Sequence, residues 1–196
     1  MNAPANIRVD HASATAASSK YKLSVRDYLL LDEAGSFEGA QTELVGGDVI
    51  IMSPEWIPHM RIKDELSYRL RGTIERLRIN AVIGTGGSVA ISETDQPRPD
   101  IIIARSFSGD KAVGRDDLLL LVEIASTTLP FDLREKASAY AWAEVPEYWV
   151  ADVNGRVIHQ MVRPAEGNYA DIRRVPFGQP ITSATISGLT IATDGL

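Results

Sequence analysis

Two acidic residues stand where this chain is most apolar. Glu123 lies inside the run Leu118–Ala125, whose other seven residues are aliphatic, and such a run is typical of a strand buried on both faces. A carboxylate buried there is costly unless it is paired, protonated or bound to a metal. Asp100 opens a second buried strand, Asp100–Ala104. Two carboxylates delivered by two neighbouring strands form a candidate divalent-metal site.

The chemistry of this pair has a simpler alternative for each member. Asp100 could merely begin a strand at the solvent edge, whereas the apolar flanks of Glu123 leave a choice between an ion pair with a buried Arg and a metal. Mg²⁺ takes its oxygen ligands from one or two carboxylates together with waters and phosphate, which suits the pair. Zinc is not expected, because the chain has no cysteine and no two-histidine motif.

Composition narrows the class of protein. A chain of 196 residues that is 44% hydrophobic fits one domain with a substantial core. The net charge of -6 provides no overall basic field for nucleic acid, which argues against a DNA-coating protein but is compatible with an enzyme that has a local basic groove. The absence of cysteine fits a reducing cytoplasm. No apolar run approaches the roughly 18 residues of a membrane span.

Hydrophobic periodicity predicts an α/β or α+β domain over residues 21–196, with a mixed sheet flanked by a few helices. The Ala- and Ser-rich residues 1–20 are predicted to form a flexible tail. The predicted helices are Ser24–Glu33, Pro58–Arg78 and Asp132–Ala143. The predicted strands are Thr42–Val45, Asp48–Met52, Ala81–Ile83, Ser88–Ile91, Asp100–Ala104, Leu118–Ile124, Glu147–Asp152, Arg156–Val162 and Tyr169–Val175, with further edge strands in the tail Ile181–Ile191.

Other polar residues carry weaker signals by themselves. Lys136 and Asp132 are four residues apart on a predicted helix, and the residues alone favour a surface ion pair there. Glu43 reads as a solvated strand-end carboxylate, and His59 as an ordinary residue at the start of a helix. The helix Pro58–Arg78 is locally basic, which could serve a phosphate backbone. Its cationic residues are Arg61, Lys63, Arg69, Arg71, Arg76 and Arg78.

Read in order, several segments resemble the PD-(D/E)XK restriction-endonuclease-like superfamily and, within it, the Uma-type family of small bacterial endonucleases. The resemblance extends from about Leu23 to Ile191. Each segment is weak alone, and the ordered set is specific. The segments are Leu23–Tyr28, Glu43–Pro54, His59, Pro99–Asp100, Val122–Ser126, Asp132, Lys136, Tyr140 and Val145–Trp149.

The resemblance implies a restriction-endonuclease-like fold with a mixed central β-sheet flanked by α-helices, and a Mg²⁺ or Mn²⁺ site. It makes Asp100, Glu123 and the carbonyl of Ile124 the metal ligands, with Glu43 as a further catalytic carboxylate. The superfamily lysine that follows the glutamate by two residues is absent, because that position is Ala125. Lys136 is the expected substitute, provided that it faces the strand ends.

The function implied is that of a metal-dependent endonuclease that hydrolyses DNA phosphodiester bonds, with mainly non-specific backbone contacts. The missing lysine and the acidic net charge keep an alternative open, a catalytically inactive module that binds nucleic acid or another protein. Exposed edges in the tail strands are compatible with a homodimer. The sequence leaves the oligomeric state and the target open.

Overall fold

The computed structural model describes residues 20–196, so almost all of the predicted tail, residues 1–20, lies outside the described part of the chain. The helices are α1 (Val25–Glu33), α2 (Ile57–Leu77), α3 (Leu129–Phe131) and α4 (Ala137–Trp142). The strands are β1 (Thr42–Val45), β2 (Asp48–Ile51), β3 (Val82–Thr85), β4 (Val89–Ala90), β5 (Ile101–Ala104), β6 (Val113–Gly114), β7 (Leu118–Ala125), β8 (Glu147–Asp152), β9 (Val157–Ala165), β10 (Asn168–Pro176), β11 (Ile181–Thr182) and β12 (Thr190–Ile191).

The main sheet has six strands in the order β10-β9-β8-β7-β5-β3. Strands β7 and β8 are parallel, and all other neighbours in the sheet are antiparallel. The predicted fold class is therefore confirmed. The connection between β7 and β8 carries α3 and α4, as a parallel crossover requires.

Almost all residues of β7 are apolar because both faces of the strand are covered. Side chains alternate along a strand, so one set of β7 residues packs against α2 and the other set packs against α4. The first set is Leu120, Val122 and Ile124, which meets Ile62, Leu66, Leu70 and Ile74. The second face holds Leu121 and Ala125 against Tyr140 and Ala141, and Glu123 belongs to this face by alternation.

The predicted hairpin β1–β2 forms beside the main sheet, with Glu43 opposite Ile50. A reciprocal capping arrangement between Ser24 and Asp27 starts α1. The hydroxyl of Tyr28 on α1 donates to the carbonyl of Thr42 at 3.0 Å. The hairpin is therefore fixed next to the segment that leads into β5.

Two predicted elements differ from the structure. The helix predicted from Asp132 begins at Leu129 and passes through a π turn, Asp132–Lys136, before α4. The tail Ile181–Ile191 does not extend the main sheet; it forms the separate pair β11–β12, because hydrogen bonds to Glu147 hold Ser183–Thr185 in a turn. Of the strands predicted to lie at the edge of the main sheet, only β10 lies there.

Candidate active site

A cleft of about 110 Å³ opens where the β1–β2 hairpin, the start of α2, the ends of β5 and β7 and the π turn meet. All four side chains predicted to be catalytic line it. Its polar lining comprises Glu43, Ser53, Glu55, His59, Asp100, Glu123, Ser126, Thr127, Thr128, Asp132 and Lys136.

Lys136 lies at the centre of the buried carboxylates. Its ammonium is 3.0 Å from Glu43 Oε2, 3.0 Å from Glu123 Oε1 and 3.9 Å from Asp132 Oδ1. Only 4% of Lys136 is exposed. The surface ion pair favoured by the residues alone is therefore wrong. The π turn, which adds a residue to the helical repeat, accompanies the burial of both Asp132 and Lys136.

Neighbouring groups fix the orientation of the carboxylates. The hydroxyl of Tyr140 on α4 donates to Glu123 Oε1 at 3.0 Å, and the Thr128 hydroxyl donates to Asp132 Oδ2 at 2.6 Å. The backbone N–H of Arg98 donates to Glu43 Oε2 at 2.9 Å. Side chains that are held in this way need little reordering to bind a charged ligand.

Burial and mutual repulsion shape the protonation of this cluster. Burial raises the pKa of Glu123 well above its ordinary value, and the charges of Asp132, Asp100 and Glu43 add to this against the opposing effect of Lys136. Burial likewise raises the pKa of Asp132 to about 6. Burial alone would lower the pKa of Lys136, but the charges of Glu123, Glu43 and Asp132 outweigh it and raise the pKa above its ordinary value.

Asp100 stands immediately before β5, at the mouth of the cleft. Its Oδ2 accepts from the backbone N–H of Ile124 at 2.8 Å and lies 3.1 Å from His59 Nε2. The carbonyl of Ala125 accepts from Val153 N on the β8 side. Successive strand carbonyls point to opposite sides, so the Ile124 carbonyl faces the β5 side, where Asp100 lies.

The start of α2 and the segment before it bring Glu55, His59 and Lys63 to Asp100, although the residues alone indicated no role for these three in the site. Glu55, His59 and Asp100 can each offer one ligand atom, and these atoms all lie within 4.8 Å of one another. Lys63 pairs with Glu55, and its ammonium is 4.0 Å from Asp100 Oδ1. His59 and Lys63 are four residues apart on α2, and Glu55 lies just before the helix. This spacing does not reveal that the three residues meet Asp100.

Part of the basic face predicted on α2 is engaged with the fold itself. Arg69 donates to the carbonyls of Ala192 and Asp194, both at 2.8 Å, and Arg71 donates to the carbonyl of Ile83 at 3.2 Å. Lys63 instead faces Asp100. Two arginines of this face therefore anchor the helix, and the use of its other cationic residues for a phosphate backbone stays a prediction.

The donor set of the cleft fits a divalent cation. Five carboxylates, those of Glu43, Glu55, Asp100, Glu123 and Asp132, share the cleft with the one ammonium of Lys136. An excess of negative charge remains after that pairing, and carboxylate and carbonyl oxygens are the ligands that Mg²⁺ and Mn²⁺ take.

The mixed six-stranded sheet with its flanking helices is a restriction-endonuclease-like fold. The chain is similar over 87% of its length to 95% of a solved structure from Anabaena variabilis, described as "a putative nuclease belonging to DUF820", with a TM-score of 0.63 and 15% identity. No curated protein matches the chain.

The family follows from the sequence. Residues 25–194 match the family model Uma2, described as "Putative restriction endonuclease", and the chain belongs to that family. The resemblance predicted from the ordered segments is confirmed. Family and fold together support a nuclease-like function. Among residues 20–196, no helix is both long enough and apolar enough to cross a bilayer.

Proposed function

We propose that the chain is a divalent-metal-dependent endonuclease that hydrolyses DNA phosphodiester bonds in the cleft at the end of β7. The observation that carries this proposal is the meeting of Glu43, Asp100, Glu123 and Lys136 in one cleft, although they come from four separate segments. The choice of DNA rests on the family description of a restriction endonuclease.

Asp100, Glu123 and the carbonyl of Ile124 are the residues that would hold the cation. A bound divalent ion supplies Lewis-acid activation of water and neutralises charge on the scissile phosphate. Asp100 is already oriented by the Ile124 N–H, and Glu123 by Tyr140. The chain therefore presents both carboxylates from rigid strand positions.

Lys136 takes the place of the lysine missing at Ala125. Glu43 and Glu123 keep its ammonium charged, and Glu43 holds it at the floor of the cleft. A fixed positive charge at this point stabilises negative charge on a phosphoryl oxygen, and such preorganised charge is a large term in catalysis. Glu43 acts by positioning Lys136.

Exposed apolar side chains at the mouth of the cleft suit contact with bases. Trp56 is 68% exposed, and Ile51, Ile57 and Met60 are exposed beside it. Aromatic side chains that stack on bases contribute roughly 1–3 kcal/mol per base. We expect Trp56→Ala to weaken binding of single-stranded DNA about fivefold or more in a fluorescence-anisotropy titration. Trp142 is equally exposed but lies elsewhere, so Trp142→Ala is the matched control, and equal effects of the two variants would contradict this contact.

The direct test is nicking of supercoiled plasmid with Mg²⁺ or Mn²⁺, comparing the wild type with Asp100→Asn and Lys136→Ala. Asp171→Asn is a matched control, because Asp171 pairs with Arg163 on the exposed part of β9–β10. We expect cleavage by the wild type and by Asp171→Asn, and loss of cleavage in the other two. A wild type that cuts no DNA form with either ion would overturn the proposal.

The inactive module remains the second candidate, favoured by the Ala at position 125. It predicts that DNA binds with equal affinity to the wild type and to Asp100→Asn and that neither protein cuts. The convergence of the carboxylates and Lys136 favours the enzyme.

A further inference from the structure

His59 is held against Asp100 by only one of its two ring nitrogens. Its Nε2 lies 3.1 Å from Asp100 Oδ2. Its Nδ1 is enclosed, and within residues 20–196 it is the one buried side-chain nitrogen or oxygen that has no hydrogen-bond partner. The nearest acidic atom is Glu55 Oε2, at 3.9 Å.

The groups around His59 are those that surround a metal-bound histidine, although the 3.9 Å from Nδ1 to Glu55 Oε2 is longer than a hydrogen bond and must shorten when an ion binds. Such a residue binds the ion through one nitrogen and donates its other ring N–H to a carboxylate. Two ligands that sit side by side on an octahedral ion at about 2.1 Å are about 3 Å apart, which is the separation of His59 Nε2 and Asp100 Oδ2. A histidine with only a structural role would leave a buried nitrogen without a hydrogen bond, and nothing would offset that cost.

We propose that His59 is a ligand, through Nε2, of the cation held by Asp100, and that Glu55 accepts from Nδ1–H as the outer carboxylate. The inference rests on the proposed function, because it uses the same ion. Without a metal, Lys63 pairs with Glu55 and approaches Asp100. Its ammonium then supplies the positive charge that a bound cation would supply.

A nitrogen ligand changes which ion the site prefers. Mg²⁺ is bound through oxygen atoms, whereas imidazole suits the later divalent metals, and affinity for a mixed nitrogen and oxygen site rises from Mn²⁺ onward. The site should therefore bind Mn²⁺ more tightly than Mg²⁺, by tenfold or more, and His59→Gln should reduce this preference. Glutamine can still donate to Asp100 through its amide, so the variant keeps the contact while removing the imidazole.

Mn²⁺ electron paramagnetic resonance with echo-envelope detection reads the ligand directly, because a bound imidazole gives a ¹⁴N coupling. The measurement uses the full chain loaded with Mn²⁺, without DNA. We expect the coupling in the wild type and in the control His159→Gln, since His159 lies on β9 between Val150 and Arg174. It should vanish in His59→Gln, and Glu55→Gln should lower Mn²⁺ affinity about tenfold in calorimetric titrations.

Three results separate the inference from the function on which it rests. Mn²⁺ binding and DNA cleavage without a ¹⁴N coupling, or with a coupling that persists in His59→Gln, would overturn the role of His59 and leave the nuclease standing. A coupling without cleavage supports His59 and contradicts the nuclease. Absence of any metal binding contradicts both. Thermal melting of each metal-free variant checks that it folds. If His59→Gln does not fold, Glu55→Gln tests the same centre.

Discussion

Two glutamates are buried in neighbouring strands of this protein, and their surroundings are opposite. Glu147 on β8 is fully buried, and its oxygens accept only from neutral donors: the Trp149 indole, the Gln160 amide, the hydroxyls of Ser183 and Thr185, and the N–H groups of Ala184 and Thr185. Glu123 on β7 accepts hydrogen bonds from one ammonium and one hydroxyl, and its other neighbours include three carboxylates.

The difference separates a structural carboxylate from a functional one. The donors around Glu147 come from β8, β9 and the segment before β12, so its hydrogen bonds close the C-terminal part of the fold. The carboxylates around Glu123 outnumber the one ammonium that neutralises them, and such an excess of negative charge favours the binding of a cation. We therefore expect substitutions at Glu147 to affect stability and substitutions at Glu123 to affect activity.

The largest effect should come from Glu123→Gln. Loss of a metal ligand should lower the plasmid-nicking rate about a thousandfold, roughly 4 kcal/mol of barrier. The free energy of unfolding without metal should change by less than about 1 kcal/mol, because Lys136 keeps Glu43 as a partner. Nicking kinetics and urea unfolding measure the two effects. A stability loss as large as the activity loss would erase the contrast with Glu147.

Lys136→Met should cause the largest loss of stability. Removing the ammonium leaves three buried carboxylates without their partner, and breaking a buried pair in this way costs about 3–5 kcal/mol. Urea unfolding without metal measures it. A loss below about 1 kcal/mol would mean that the ammonium is solvated and not central to the cluster.

Glu147→Ala should destabilise the protein by about 2–3 kcal/mol, because several buried donors lose their acceptor. The nicking rate per folded molecule should stay at the wild-type value. Urea unfolding together with nicking at matched folded concentrations measures both quantities. A drop in activity with full folding would show that Glu147 contributes to the site after all.

A further expected effect is the pH dependence that comes from Asp132. Its pKa is about 6 in the folded protein against 3.8 ordinarily, so the folded state binds more protons between these values. Its contribution to stability is full below pH 4 and falls by about 3 kcal/mol as the pH rises from about 4 to above 6. Asp132→Asn should flatten the metal-free stability curve between pH 4 and 7. An unchanged slope would contradict the raised pKa.

The sequence predicted Glu123 as a site residue because its apolar neighbours made a solvated position unreasonable. It predicted Asp100 as its partner because this residue starts a neighbouring strand. The fold class and most elements followed from periodicity. The burial of Lys136 could not be predicted from the residues alone, because the π turn at Asp132–Lys136 has no periodic signature. Only the family resemblance pointed to this lysine.

Long-range contacts explain what else was missed. His59 lies on α2 and Glu55 lies just before it, and only the tertiary fold brings both to Asp100. The sequence placed Glu147 only at the start of a predicted strand and within a family segment. Its burial depends on donors some 35 residues further along the chain, and no local pattern shows that contact.

The measurement that tests the central claim most directly is the anomalous scattering of Mn²⁺ in a crystal of the full chain. The account predicts one peak in the cleft, about 2.0–2.5 Å from a carboxylate oxygen of Asp100, and none near Glu147. A crystal soaked in Mn²⁺ that shows no peak beside Asp100 and Glu123 would contradict it.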